Sequence, residues 1–162
     1  HAAVDGLELP TKDRVVEVKM RFEGCTMMDV EFDDRKYTGS HYGHLCRAQI
    51  RPDKVTVMDE REGSQNQVIK AMREGPAKTA EVTKLMEGKN ATFPVSLQPD
   101  QIYTVVVETV GGEMRVGIDG KPVAYLKSPG IGHATKSKIE LGVAGQSGWF
   151  DDIKIWNAAP VK

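Results

Sequence analysis

From Ser137 to Trp156 the chain reads SKIELGVAGQSGWFDDIKIW. Ile139, Leu141 and Val143 alternate with Glu140 and Gly142, the period-two signature of a strand with one buried face. Ala144 to Gly148 is small, polar and Gly-containing, and reads as a turn. Phe150, Ile153 and Ile155 then resume the apolar pattern around Asp151 and Asp152, as a second strand with a bulge would. The stretch predicts a closing hairpin that plugs a β-sandwich, with earlier strands packed around it.

Those strands are visible upstream. Arg14–Phe22 puts Val16, Val18, Met20 and Phe22 on one face and Glu17, Lys19 and Arg21 on the other, with Gly24 as its expected end. Thr26–Asp33 repeats the pattern, opposing Met28, Val30 and Phe32 to Asp29, Glu31 and Asp33. Shorter candidates follow at 4–9, 44–50, 54–59, 92–97, 101–110, 113–119 and 121–126, separated by turn signals such as Asp119-Gly120. Alternation on this scale predicts antiparallel sheets, each with one wet face. The stretch from Glu60 to Lys89 breaks the pattern. It is rich in helix formers, with one helix expected near 67–73 and another over 77–86 with Pro76 in its first turn. Val68, Ile69 and Met72, then Val82, Leu85 and Met86, form narrow apolar stripes suited to docking on a sandwich edge.

A chain of 162 residues that is 40% hydrophobic and 28% charged suits one domain, residues 1–162, with a substantial core. Its 22 basic and 23 acidic residues nearly cancel, which removes the electrostatic case for nucleic acid or an anionic membrane. No apolar run approaches the roughly 20 residues needed to span a bilayer. The first residue is His1 rather than Met, so a processed or trimmed product is expected. Cys25 and Cys46 sit on neighbouring predicted strands. A hairpin across the Asp34–Gly43 loop places Cys46 opposite about Glu31, too far from Cys25 for a bridge, so two buried thiols are expected.

Three phrases, HYGHLCRAQIRPDKVTVMDE, IYTVVVETVGGEMRVGIDGKPVAYLKSPGIGH and the closing stretch, resemble the concanavalin A-like lectin/glucanase superfamily. Within it they look most like bacterial 3-keto-disaccharide hydrolase-type domains, relatives of laminarinase-like glycosidases. The resemblance implies a jelly-roll sandwich of two antiparallel sheets, a carbohydrate ligand and an extracytoplasmic (periplasmic or secreted) location. The family's longer opening segment, with a Trp and a Gly-rich turn, has no counterpart before Val4.

Laminarinase-like enzymes carry Glu-x-Asp-x-Glu on a strand lining the cleft. Asp29, Glu31 and Asp33 share that spacing but differ in residue type at every position, and are the catalytic candidates. Outer Cα atoms four residues apart on a strand lie about 13 Å apart, whereas the carboxyl groups of retaining and inverting glycosidases lie about 5–5.5 and 6.5–9.5 Å apart. The competing reading is a surface ladder: in the same hairpin register Glu31 faces Arg47 and Asp29 faces Gln49. Lys19, Arg21, Arg47 and Asp59 complete the charged face expected to hold sugar hydroxyls. His44 and Trp149 join the substrate-binding candidates, Trp149 as a stacking platform beside a Gly turn. His41 and His44 form an HxxH without an evident third ligand, so neither metal nor cofactor is expected. Two functions remain open: a glycoside hydrolase, and a non-catalytic carbohydrate-binding or adhesion module.

Overall fold

The computed structural model describes residues 3–75 and 80–158, the side chains of 3–11 excepted. Its framework is a single long antiparallel ribbon. β2 runs over Arg14–Asp33 and β9 over Lys136–Asn157, and they pair from Arg14 opposite Asn157 to Asp33 opposite Lys138. The expected closing hairpin is therefore one continuous strand, and the two strands expected on either side of Gly24 are also one. Ala144–Gly148 lies against Phe22–Met27, where the register shifts repeatedly. Gly24 at φ +86° and Gly145 at φ +105° let both strands bend there together without reversing.

The bend divides the ribbon between two sheets. Beyond β2, residues Arg14–Met20 pair with β6 (Tyr103–Val110), while Met28–Asp33 pair with β3 (His44–Ile50). β6 leads on to β7 (Glu113–Ile118) and β8 (Lys121–Lys127). β3 leads on to β4 (Lys54–Asp59) and β5 (Asn90–Pro94), and β1 (Ala3–Thr11) closes the other edge along the first half of β9. One sheet is thus β1-β9-β2-β3-β4-β5 and the other β9-β2-β6-β7-β8, folded over so that β8 touches β4 and β5. Alternation fills the space between them. Val16, Val18, Met20 and Phe22 from one half of β2, and Met28, Val30 and Phe32 from the other, share a core with Val55, Val57, Val105 and Val107. Two antiparallel sheets with a short helical insertion is the architecture the alternation predicts.

Both cysteines are buried free thiols, with Cys46 opposite Phe32. In the insertion, α1 spans Gln67–Glu74 and α2 spans Ala80–Met86. The expected start of the second helix at Pro76 lies outside the described residues. Asn66 caps α1 by accepting from the backbone N–H of Val68 and Ile69 at 3.0 and 3.3 Å. Only Ile69 of the first apolar stripe is buried; Val68 and Leu85 are exposed. Much of the attachment is instead through backbone: Gln67 N–H donates to Gly39 O at 3.0 Å and His41 N–H to Gln65 O at 2.8 Å. No described helix is long and apolar enough to cross a membrane.

Candidate functional site

The β2 residues that alternate away from the core at its C-terminal end are Asp29, Glu31 and Asp33. Across the sheet the register sets Glu140, Glu31, Arg47 and Met58 in one row and Gly142, Asp29, Gln49 and Thr56 in the next. The expected pairs, Glu31 with Arg47 and Asp29 with Gln49, are the observed ones. Arg47 is the centre of the face. Its Nη1 donates to Asp29 Oδ2 at 3.2 Å, and its Nη2 to Glu31 Oε1 at 3.0 Å and Glu60 Oε1 at 2.8 Å. A Cβ at position 142 would stand 2.1 Å from Asp29 Oδ1, so the glycine there makes room for the carboxylate. Burial pushes the Asp29 carboxyl above its ordinary value, against the pull of Arg47. Burial also drives Glu60 upward; Arg47 opposes and neighbouring Glu31 reinforces the rise, leaving it at about 7.

A bulge brings His44 into this network. The β2–β3 register slips between Phe32 and Asp33, so Leu45 and Cys46 both enter the core and His44 emerges beside Asp33. Its Nδ1 lies 2.6 Å from Glu31 Oε1 and 3.0 Å from Asp33 Oδ1. Burial alone would lower the imidazole; the hydrogen bonds to Asp33 and Glu31 reverse this and raise it to about 10. His44 is therefore a cation at neutral pH, holding two carboxylates as Arg47 holds three.

Beside this network opens a cleft of about 930 Å³, lined among others by Asp33, Arg35, Tyr37, Ser40, Tyr42, His44, Lys138 and Glu140. Its rim is the loop from Asp34 to Gly43, closed by Asp34 N–H donating to Gly43 O at 2.9 Å. Gly43, at φ +78°, passes so near Asp34 that a Cβ would sit 2.1 Å from that residue's carbonyl oxygen. The neighbouring Tyr42 also adopts a left-handed conformation, φ 50° and ψ 18°, and is 80% exposed. Its ring lies 4.1 Å from that of His41 and edge-on to His44 at 6.2 Å. Lys138 and Glu140 form an ion pair on the β9 side. Behind the rim, His133 Nε2 meets Asp34 Oδ2 at 2.9 Å; burial would raise Asp34, but this bond and that from Lys36 N–H outweigh it and lower its pKa.

Asp29, Glu31, Asp33, Arg47 and His44 thus come together as one site. The structure takes the other candidates elsewhere. Lys19 and Arg21 lie on the half of β2 that belongs to the second sheet, where Lys19 meets Asp152 at 3.1 Å and Arg21 meets Glu23. Trp149 pairs in register with Arg21, whose guanidinium lies 5.2 Å from the indole centroid, so it flanks that sheet and not the cleft. Asp59 is 1% exposed and turned inward, accepting from Ser128 Oγ and, at 2.9 Å, from the N–H groups of Gly130 and Glu62. It is a structural clasp. Tyr42 was visible only as part of the His41–His44 loop cluster at a sheet end; residues the sequence did not bring forward are Glu60, at the start of the helical stretch, and Lys138 and Glu140. The last two were legible as outward positions of an alternating strand paired to Asp33 and Glu31.

The fold places these features on a known architecture. Sheep galectin-11, in a structure with glycerol, superposes with a TM-score of 0.56 at 14% identity over 96% of this chain and 97% of that one. Carbohydrate-binding module CBM66 from Bacillus subtilis gives 0.60 at 13% over 94% and 81%, and a tetrameric galectin from the ball sponge Cinachyrella gives 0.61 at 12% over 94% and 98%. The chain has a galectin-like jelly-roll fold. At these identities the likeness is one of fold. No protein family profile and no curated protein matches the sequence.

Proposed function

We propose that this chain is a carbohydrate-recognition module, with the cleft between the Asp34–Gly43 loop and the ends of β2, β3 and β9 as its sugar site. The observation that carries the reading is Tyr42, 80% exposed and in a left-handed conformation at the rim of a cleft lined by charged and neutral polar residues and by a second tyrosine, Tyr37. A bulky residue at positive φ is a costly conformation that persists where the surroundings impose it. An exposed aromatic face beside planar carboxylates and cations is what a pyranose needs, since its C–H face stacks while its hydroxyls take directional bonds. Asp33, Arg35, Lys138 and Glu140 are the polar partners. The structural neighbours support the same class, including a lactose-liganded congerin II at a TM-score of 0.58 and 7% identity.

Recognition is favoured over hydrolysis of the 3-keto-disaccharide type. Glu31 and Asp33 stand on one strand and are both held by His44, not set across a groove from each other. Glu60, the carboxyl with a pKa near neutrality, is buried behind Arg47 and does not line the cleft. An extracytoplasmic location belongs to this proposal, as the setting in which such ligands are met.

The test is a glycan array followed by calorimetry on the strongest ligand, with product analysis on the same samples. Binding without turnover, lost in Tyr42→Ala and kept in Trp149→Ala, is expected. Binding that survives Tyr42→Ala, or turnover abolished by Glu31→Gln, would overturn it.

A further inference from the structure

We infer that Glu31, Asp33 and His44 form a binding site for a divalent transition-metal ion, Zn²⁺ by ligand type, at the inner end of the cleft. One nitrogen and two carboxylate oxygens, all within 4.8 Å of one another, converge there from β2 and β3. Nδ1 of His44 carries at most one hydrogen, yet it faces Glu31 Oε1 at 2.6 Å and Asp33 Oδ1 at 3.0 Å. A single proton must be shared between the two carboxylates in a bifurcated bond, whereas a metal ion serves all three donors at once. Donors around a tetrahedral Zn²⁺ at about 2.0–2.2 Å are roughly 3.3–3.6 Å apart, so the imidazole must draw back by about half an ångström from Asp33 and by somewhat under one ångström from Glu31.

Two further observations favour a cation at this position. Ser40 is 98% buried, lines the same cleft, and its Oγ has no hydrogen-bond partner among the described residues. The network is also rich in acid: among the described residues, the four carboxyl groups of Asp29, Glu31, Asp33 and Glu60 make their ion pairs with Arg47 and His44. Exchanging the imidazole proton for a divalent ion adds one positive charge where the carboxylates outnumber their partners. Arg47, bonded to Glu31, is placed to orient that ligand from outside the coordination sphere. Imidazole with carboxylates selects Zn²⁺ and its neighbours over Ca²⁺ or Mg²⁺, which prefer all-oxygen shells. Asp33 and His44 line the cleft, so a fourth position faces it and is open to water. Nothing in this assignment depends on what else the cleft binds.

The experiment is a ZnCl2 titration of the chelator-treated full chain by calorimetry, paralleled by Co²⁺ and its visible d–d absorption. One equivalent is expected in the micromolar range or tighter. His44→Gln and Asp33→Asn, folded by circular dichroism, are expected to weaken it beyond the roughly 10–100-fold that loss of an outer-shell partner costs. Absence of Zn²⁺ binding, or binding unchanged in both variants because the ion sits on His41 or His133, would overturn the site. If either variant fails to fold, the wild-type Co²⁺ spectrum decides: a band set for a hexa-aquo ion sinks the proposal, and a low-coordinate nitrogen–oxygen spectrum sustains it.

Discussion

Replacing Arg47 by Met removes the charge and the donors while keeping much of the side chain's length and apolar bulk. Three carboxylates then lose a common partner: Asp29, Glu31 and Glu60, with side chains 5, 7 and 2% exposed. Breaking a buried ion pair by deleting one member costs about 3–5 kcal/mol, because the abandoned charge stays desolvated. That is a large share of the roughly 5–15 kcal/mol by which domains are stable. At about 2–4 °C per kcal/mol for a chain of this size, Tm should drop by roughly 6–20 °C. The loss should also depend on pH in a stated direction. Without Arg47 the buried carboxyls shed their charge by taking protons, Glu60 first since it already titrates at about 7. Urea unfolding followed by circular dichroism at pH 7.5 and pH 5 should therefore show a smaller deficit at pH 5. Adding Glu60→Gln to Arg47→Met should recover part of the loss at pH 7.5. A deficit below about 1 kcal/mol, or one equal at both pH values, would refute the claim that this guanidinium is the electrostatic keystone of the face.

Three other outcomes follow from the same geometry. The folded His44 pKa of about 10 lies above the ordinary 6.5, so its contribution is complete below pH 6.5 and fades as pH rises towards 10; Tm measured with chelator present should fall across that window, and His44→Gln should flatten the slope. Gly142→Ala puts a methyl where Asp29 Oδ1 lies, and should cost about 1–3 kcal/mol in denaturant unfolding, with much of it recovered when Asp29→Ala is added. Asp59→Ala strands the donors of Ser128, Gly130 and Glu62 and should cost about 3 kcal/mol, with faster amide exchange at Gly130 as the local signature.

The sequence was most informative where alternation and loop length act together. The Asp34–Gly43 loop joins two alternating strands, and this was enough to set Glu31 against Arg47 and Asp29 against Gln49. It was least informative at Gly24 and at Ala144–Gly148, because a bend shared by two paired strands uses the same small residues as a chain reversal. Only long-range pairing separates the two cases. His44 was legible as a binding candidate but not as a partner of Asp33 and Glu31: a one-residue bulge at Leu45 decides which face it occupies, and nothing in the local pattern marks it. Lys19 and Arg21 were misplaced with the acidic strand since period-two reasoning tracks faces and not the sheet to which a bent strand's half belongs. Glu60 enters the site because the chain turns just after β4, a matter of tertiary packing.

The ribbon shared by the two sheets also sets the order in which this molecule can be made. Residues 14–33 find their full-length partner only in residues 138–157. On a ribosome, β2 must wait with one whole edge unsatisfied until nearly all the strands between have been synthesised. Such distant pairing makes for slow, late closure, since the loop must be drawn shut before its contacts repay the loss of freedom. During that interval the waiting edge is an open template for any other extended chain. β9 pairs with both halves of β2, so its arrival completes the two sheets together.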